Sequence, residues 1–341
     1  MHIPDGYLSP ATCGVMYAAS APFWILAVNR VRQVLTHRTV PVLALFSAFI
    51  FVLMMFNIPL PGGTTGHAVG GTLLAIVLGP WAAVLGISVA LGIQALFFGD
   101  GGLITFGANC FNMAVVLPFV GYFIYKMISA NSEATSLRRL VGAAVGSYCG
   151  IVAAALIAAI EFGIQPALFQ AIDGTPLYAP YSLNVAIPAM AIGHMSIAGP
   201  VEAIVTGGIF AYLQRTHSSL IKADAPVKKE GKIWLLWGGL AVLALATPIG
   251  LLASGTAWGE WGADELKGLG LDFIPQGIEK LTGWWPAPLP DYGFPRMGAV
   301  IGYILSAFIG IILIGFIIWL SGRWLSRRNS ARQETKTGTM N

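Results

Sequence analysis

Apolar stretches long enough to cross a bilayer recur along most of this chain, and that repetition constrains the fold more than any other feature. They run at 11–28, 40–58, 108–127, 139–162, 184–213, 233–253 and 297–320, close to the ~20 residues a helix needs to span the hydrocarbon core. A further stretch, 68–98, is longer than one crossing requires and is interrupted by Gly79-Pro80. Proline removes a backbone donor and disfavours helix in the residue before it, so this stretch is either one bent helix or two short ones. Charged residues make up only 10% of the chain, against roughly 25% in a soluble domain, which excludes an ordinary globular protein. The expected fold is an all-α, polytopic membrane protein embedded in the lipid bilayer.

Charge placement chooses the number of crossings. Sixteen of the 19 Lys and Arg residues fall in four segments, 29–39, 126–139, 215–232 and 323–341. Nine crossings put all four on one side, whereas eight would strand 29–39 on the other. The bias of Lys and Arg toward the cytoplasm therefore predicts nine crossings, N-terminus outside and C-terminus in the cytoplasm. Asp5, Asp100, Asp173, Glu260, Asp264, Glu265, Asp272, Glu279 and Asp291 then lie outside. Either they raise the cation concentration at that face or they simply avoid the cytoplasmic boundary. The net charge of +4 is segregated along the chain, so no nucleic-acid partner is expected.

Composition divides the chain near residue 225. Residues 1–215 read as a seven-helix body, 216–232 as a cytoplasmic linker, 233–320 as a two-helix module around an extracytoplasmic loop 254–296, and 321–341 as a basic cytoplasmic tail. The outer loop carries Trp258, Trp261, Trp284 and Trp285, suited to the interfacial belt, and a Pro-rich, loop-like end. Gly142, Gly146, Gly150, Ala154 and Ala158 form a small-residue stripe that lets another helix approach, from this chain or from a separate subunit. Cys13, Cys110 and Cys149 are isolated and read as small packing residues.

The chain begins Met1-His2-Ile3-Pro4-Asp5-Gly6, with no basic region ahead of the first apolar run, so no cleaved signal peptide is expected. An α-amine, a backbone amide and an imidazole within two residues close five- and six-membered chelate rings around a late first-row metal ion. Alone, this reads first as a histidine that happens to stand second; the rest of the sequence changes that balance. A second histidine, His67, sits in Pro61-Gly-Gly-Thr-Thr-Gly-His67, and nine crossings place it on the same outer face as His2. Thr64 and Thr65 beside it, with Asp100 and Asn109 in the break Gly99–Asn112, are candidates to support such a site, though that break also reads as a plain re-entrant turn. His194 and Glu202 lie eight residues apart within one apolar stretch and are expected to share a helix face, as a functional pair or a buried packing contact. Glu161 is expected at the interface, and His37 and His217 in solvated cytoplasmic loops. The chain has no GxxxxGK[ST] phosphate loop, no HExxH helix and no convincing Ser/His/Asp set. No catalytic residue is expected, and ATP hydrolysis would have to reside on other polypeptides.

At Met1-His-Ile-Pro-Asp-Gly-Tyr-Leu-Ser9, Pro61-Gly-Gly-Thr-Thr-Gly-His67, Phe97-Phe-Gly-Asp-Gly-Gly102 and Gly107-Ala-Asn109, the chain resembles the CbiM/NikM family over about residues 1–215. These are substrate-binding (S) components of energy-coupling factor transporters for cobalt and nickel. The resemblance implies that the ion is held by the Met1 amine, the His2 amide and imidazole, and the His67 imidazole, a roughly planar four-nitrogen set. It further implies a transmembrane coupling subunit and a pair of ATPases as partners, in the plasma membrane of a prokaryote. No cofactor is implied; Ni²⁺ or Co²⁺ is the transported substrate. From about residue 233 the chain looks like a fused NikN-type or PDGLE-type module. The Pro-Asp-Gly-Leu-Glu string is absent from the outer loop, which offers Gly255-Thr-Ala-Trp-Gly-Glu260 instead. Two other functions fit the composition: an S component for a vitamin-type molecule, and a non-transporting membrane assembly or sensor protein.

Overall fold

A computed structural model describes residues 1–34, 39–221 and 232–338. Helix α1 (Pro10–Val34) is followed by α2 (Thr39–Met54) and then by a short antiparallel hairpin, β1 (Ile58–Leu60) with β2 (Thr64–Gly66). Next come α3 (Gly71–Leu78), α4 (Pro80–Ile93), α5 (Phe106–Ile128), α6 (Leu137–Gly163), α7 (Leu183–Thr216) and α8 (Trp234–Ala246). Two short helices, α9 (Ala263–Gly268) and α10 (Gln276–Leu281), precede the last, α11 (Ala299–Gly338). Among the described residues seven helices are long and apolar enough to cross a membrane, and α2 is a shorter apolar one. The chain is a polytopic, mainly helical membrane protein, with the hairpin as an addition to the all-α expectation.

The long stretch 68–98 resolves into two unequal pieces. Gly79 takes a positive φ of 89° and Pro80 opens α4, where its missing N–H is no loss. Helix α3 has only eight residues, about 12 Å of rise, short of the ~30 Å hydrocarbon core. The residues before it, His67–Gly70, have no regular structure and are buried. Irregular backbone at that depth persists only where its polar groups find partners inside the protein. Here the partner is Glu202 of α7, whose carboxylate accepts the Val69 N–H at 2.7 Å and the Gly70 N–H at 3.0 Å.

Small residues set the packing of the body. A Cβ added at Gly146 would lie 2.5 Å from the Gly121 carbonyl oxygen, and one at Gly150 would lie 2.6 Å from that of Leu117. The Gly142–Ala158 stripe is therefore closed by α5 of the same chain and is not free for a separate subunit. Helix α1 stands at the periphery, with Gly14, Ala18 and Pro22 exposed. Helix α11 packs on α2, where Gly310 lies under the Phe51 ring. Cys13 and Cys110 are buried and Cys149 is half-buried, all unpaired, as packing residues would be.

Several placements differ from the sequence reading. Glu161 is buried, and its carboxylate accepts the Asn112 amide at 2.9 Å. His217 is buried too, with Nδ1 2.8 Å from the Thr216 hydroxyl. His194 and Glu202 do not pair with each other: His194 Nδ1 bonds the Met190 carbonyl at 2.9 Å, while Glu202 serves the α3 amides. A π turn at His194–Ala198 falls between them, so spacing on a regular helix misjudged their relation. His37, Arg38 and linker residues 222–231 lie outside the described residues.

Candidate metal centre

The N-terminal segment is not a free tail. Residues 1–3 and 5–9 are buried, and side chains drawn from distant parts of the chain hold them. Asn109 brackets the Ile3 peptide, accepting its N–H at 2.7 Å and donating to its carbonyl at 3.1 Å. The Asp5 carboxylate gathers three successive amides, Leu103 at 3.0 Å, Ile104 at 2.8 Å and Thr105 at 3.1 Å. Gln165 accepts the Ser9 N–H at 3.0 Å. Gly6 has φ of 94°, and a Cβ there would sit 2.6 Å from the Gly277 carbonyl oxygen, so only glycine fits under α10.

These contacts deliver His2 beside His67. The two rings are tilted by 33° with centroids 5.0 Å apart, and both are buried. His67 comes from the other direction, carried by the hairpin and held by the Glu202-anchored backbone just after it. Its Nδ1 donates to the Ala68 carbonyl at 3.2 Å, which leaves Nε2 as the lone-pair nitrogen. Burial, reinforced by the neighbouring His2 ring and the Met1 amine, holds the His67 imidazole well below its ordinary range. It is neutral at pH 7 and ready to coordinate.

His2 Nδ1 lies 2.5 Å from Asp100 Oδ1, and its Nε2 is buried without a hydrogen-bond partner. Asp100 in turn accepts the Tyr292 hydroxyl at 2.5 Å and the Gln94 amide at 3.3 Å. Burial pushes its carboxyl upward, but the charge and hydrogen bond of His2 and the Tyr292 hydroxyl outweigh that, and the net position is well below the carboxylate range. Burial and the Asp100 charge push Tyr292 well above the usual phenol value, so it remains a donor. The Met1 amine pairs with Glu260 Oε1 at 3.0 Å.

Of the residues singled out in the sequence, Met1, His2, His67, Asp100 and Asn109 converge. Thr64 and Thr65 do not turn to the imidazoles. Thr64 closes its own hairpin on the Pro61 carbonyl at 3.4 Å, and Thr65 donates to the Gly255 carbonyl at 3.3 Å. Glu202 contributes from behind, by fixing the backbone after His67. The sequence reading missed Asp5, Gln165 and Tyr292 as organisers; only Pro4-Asp5-Gly6, a turn-forming string, gave any signal.

The outer segment 254–296 is more than a loop with interfacial tryptophans. It folds over the site as a cap. Trp258 and Trp261 pack with Tyr181, at ring centroids 4.9 Å and 5.8 Å away. Tyr7 donates to the Trp261 carbonyl at 2.6 Å, and Trp284 Nε1 donates to Asp5 at 2.7 Å. Glu260, which pairs with the Met1 amine, and Tyr292, which donates to Asp100, both belong to the cap.

Comparison with known proteins agrees with this division. Residues 2–220 match the CbiM family model, described as the cobalt uptake substrate-specific transmembrane region, and residues 232–327 match the PDGLE domain. The chain is 49% identical over 346 residues to the fused nickel transport protein NikMN of Rhodobacter capsulatus, covering 96% of this chain and 99% of the relative. It is 46% identical over 327 residues to the probable fused nickel transport protein LarMN of Lactiplantibacillus plantarum, covering 93% and 96%. A crystal structure of a truncated transition metal transporter shares 54% identity, covers 63% of this chain and 99% of its own, and superposes with a TM-score of 0.59. The chain belongs to the CbiM family of cobalt-uptake substrate-specific transmembrane regions and carries a C-terminal PDGLE domain.

Proposed function

We propose that this protein captures Ni²⁺ or Co²⁺ at the outer membrane face for ATP-driven import, as the substrate-binding component of an energy-coupling factor transporter. The observation that carries the reading is that the buried N-terminal segment brings the Met1 amine and the His2 ring beside the neutral His67 ring, with the ring centroids 5.0 Å apart. A pocket for an organic ligand has no use for two imidazoles and an amine buried together. The ligands would be the Met1 amine and the His2 amide nitrogen, each giving up a proton to solvent on binding, with the His2 and His67 imidazoles. The six-membered chelate ring needs His2 Nδ1, the atom now bonded to Asp100. Loading therefore turns the His2 ring about Cβ–Cγ, exchanging Asp100 for the ion, and releases the Met1 amine from Glu260. Amide and amine nitrogens beside imidazoles suit Ni²⁺ slightly better than Co²⁺.

The body, 1–215, holds the ion; the linker 216–232 joins it to the module 233–320, which closes over the site. The topology is nine crossings with the N-terminus outside, the α3 segment being a broken one. Separate ATPases act through a membrane coupling subunit. That subunit docks on the exposed Gly14, Ala18 and Pro22 face of α1, since the Gly142–Ala158 stripe is occupied. The test is uptake in vesicles: ATP-dependent Ni²⁺ accumulation should require all subunits, and the chain reconstituted alone should give none. Accumulation by the chain alone would overturn the S-component reading.

A further inference from the structure

A cavity of about 380 Å³ is lined by Met1 and Gly66, the chain neighbours of His2 and His67. Three parts of the chain build it: the hairpin through Leu60, α7 through Met190 and His194, and the cap through Trp258 and Trp261. None of these residues except Met1 belongs to the donor set proposed above. His194 is the one imidazole in the lining, and it is itself buried. Its Nδ1 donates to the Met190 carbonyl at 2.9 Å, which leaves Nε2 as the nitrogen with a lone pair. It also stands where α7 passes into the π turn His194–Ala198, a distortion that helices keep most often at functional positions.

We propose that this cavity is the route by which the hydrated divalent cation reaches the N-terminal donors, with the His194 imidazole as a transient ligand on the way. The inference rests on the metal-capture reading given under Proposed function. Size supports it. Six waters occupy about 180 Å³ at ~30 Å³ each, so a six-coordinate aquo ion fits within about 380 Å³. Chemistry supports it as well. One imidazole and the thioethers of the two lining methionines, Met1 and Met190, are borderline and soft donors. They can replace some of the water around a late first-row ion. They are too few to compete with a four-nitrogen chelate, so the ion moves on. The role is kinetic: His194 sets how fast the ion arrives, not how tightly it is finally held.

The test uses the full-length chain with its native N-terminus in detergent. Rapid mixing with Ni²⁺, followed by consumption of the ion from a metallochromic indicator, gives the association rate; equilibrium titration gives the affinity. His194→Leu removes the transient ligand, and Ala189→Phe fills the cavity from a wall position outside the N-terminal donor set. Both variants should load at least tenfold more slowly, with equilibrium affinity within twofold of the parent. Association rates within twofold of the parent in both variants would overturn the route. Loss of equilibrium affinity in His194→Leu would also overturn it, by placing His194 in the final ligand set. Failure of the unmodified chain to bind Ni²⁺ at all would instead defeat the metal-capture reading, so the two failures are distinct.

Discussion

Replacing Glu202 with glutamine tests how a carboxylate deep in α7 controls a metal site it does not touch. Its oxygens accept the Val69 N–H at 2.7 Å and the Gly70 N–H at 3.0 Å, the first backbone donors after His67 and Ala68. Oε2 accepts both N–H groups, and the Gly70 N–H is shared with Oε1. In Glu202→Gln the remaining oxygen can keep both bonds, but each loses its charged character, about 1 kcal/mol apiece. The total, about 2 kcal/mol, can appear as lower stability of the whole fold or as a displaced His67. If it fell entirely on His67 placement, Ni²⁺ affinity would drop roughly 30-fold, at ~1.4 kcal/mol per tenfold. Thermal unfolding in detergent and Ni²⁺ titration of the same preparation divide the loss between the two. A variant with parental melting temperature and parental affinity would refute the claim that Glu202 holds the His67 segment.

Further outcomes follow from the same geometry. His67→Ala should weaken Ni²⁺ binding at least tenfold by titration, about 1.4 kcal/mol or more, whereas His217→Ala should leave it unchanged because His217 is bonded to Thr216 away from the site. Asp100→Asn weakens the bond that the ion must displace from His2 Nδ1, so Ni²⁺ affinity should stay at or above the parental value; a tenfold loss would contradict the exchange of Asp100 for the ion. Burial lowers the His67 pKa, so its stabilising contribution is full above the unfolded value of ~6.5 and is lost as pH falls below it. Melting of the metal-free parent should therefore drop between pH 7 and 5 more steeply than that of His67→Gln, and parallel curves would contradict the buried neutral ring. Ala18→Leu on the exposed face of α1 should reduce ATP-driven uptake while leaving Ni²⁺ affinity intact; unchanged uptake would move the coupling subunit elsewhere.

What was legible in the sequence was what short-range chemistry can encode. Met1 and His2 are adjacent, His67 ends a glycine-rich turn, and the charge pattern brought both to one face before any coordinates. Long-range partners were not legible. Glu202 was read against His194 because both lie in one apolar stretch, yet its true partners are amides 132 and 133 positions away. Those amides need a partner only because α3 starts late, and the sequence between His67 and Leu78 is apolar enough to pass for continuous helix. Glu161 and His217 were misjudged similarly: a charge near a span end looks solvated until Asn112 or Thr216 is found beside it. The cap was the largest omission. Its tryptophans fit a membrane belt by composition, and only the fold turns Trp258 and Trp261 onto Tyr181 and brings the indole N–H of the exposed Trp284 to Asp5.

The central claim is that the first two residues and His67 together form the capture site, and Ni²⁺ titration of the chain with and without its native terminus tests it most directly. A persistent N-terminal extension free of histidine and cysteine abolishes the free amine and displaces the segment that Asn109 and Asp5 hold, while leaving the membrane helices in place. One ion per chain should bind tightly to the native terminus, and binding should be lost in the extended chain with the melting temperature of the helical body retained. Equal affinity and stoichiometry in the two proteins would show that the terminus is not a ligand, and the proposed site would be wrong.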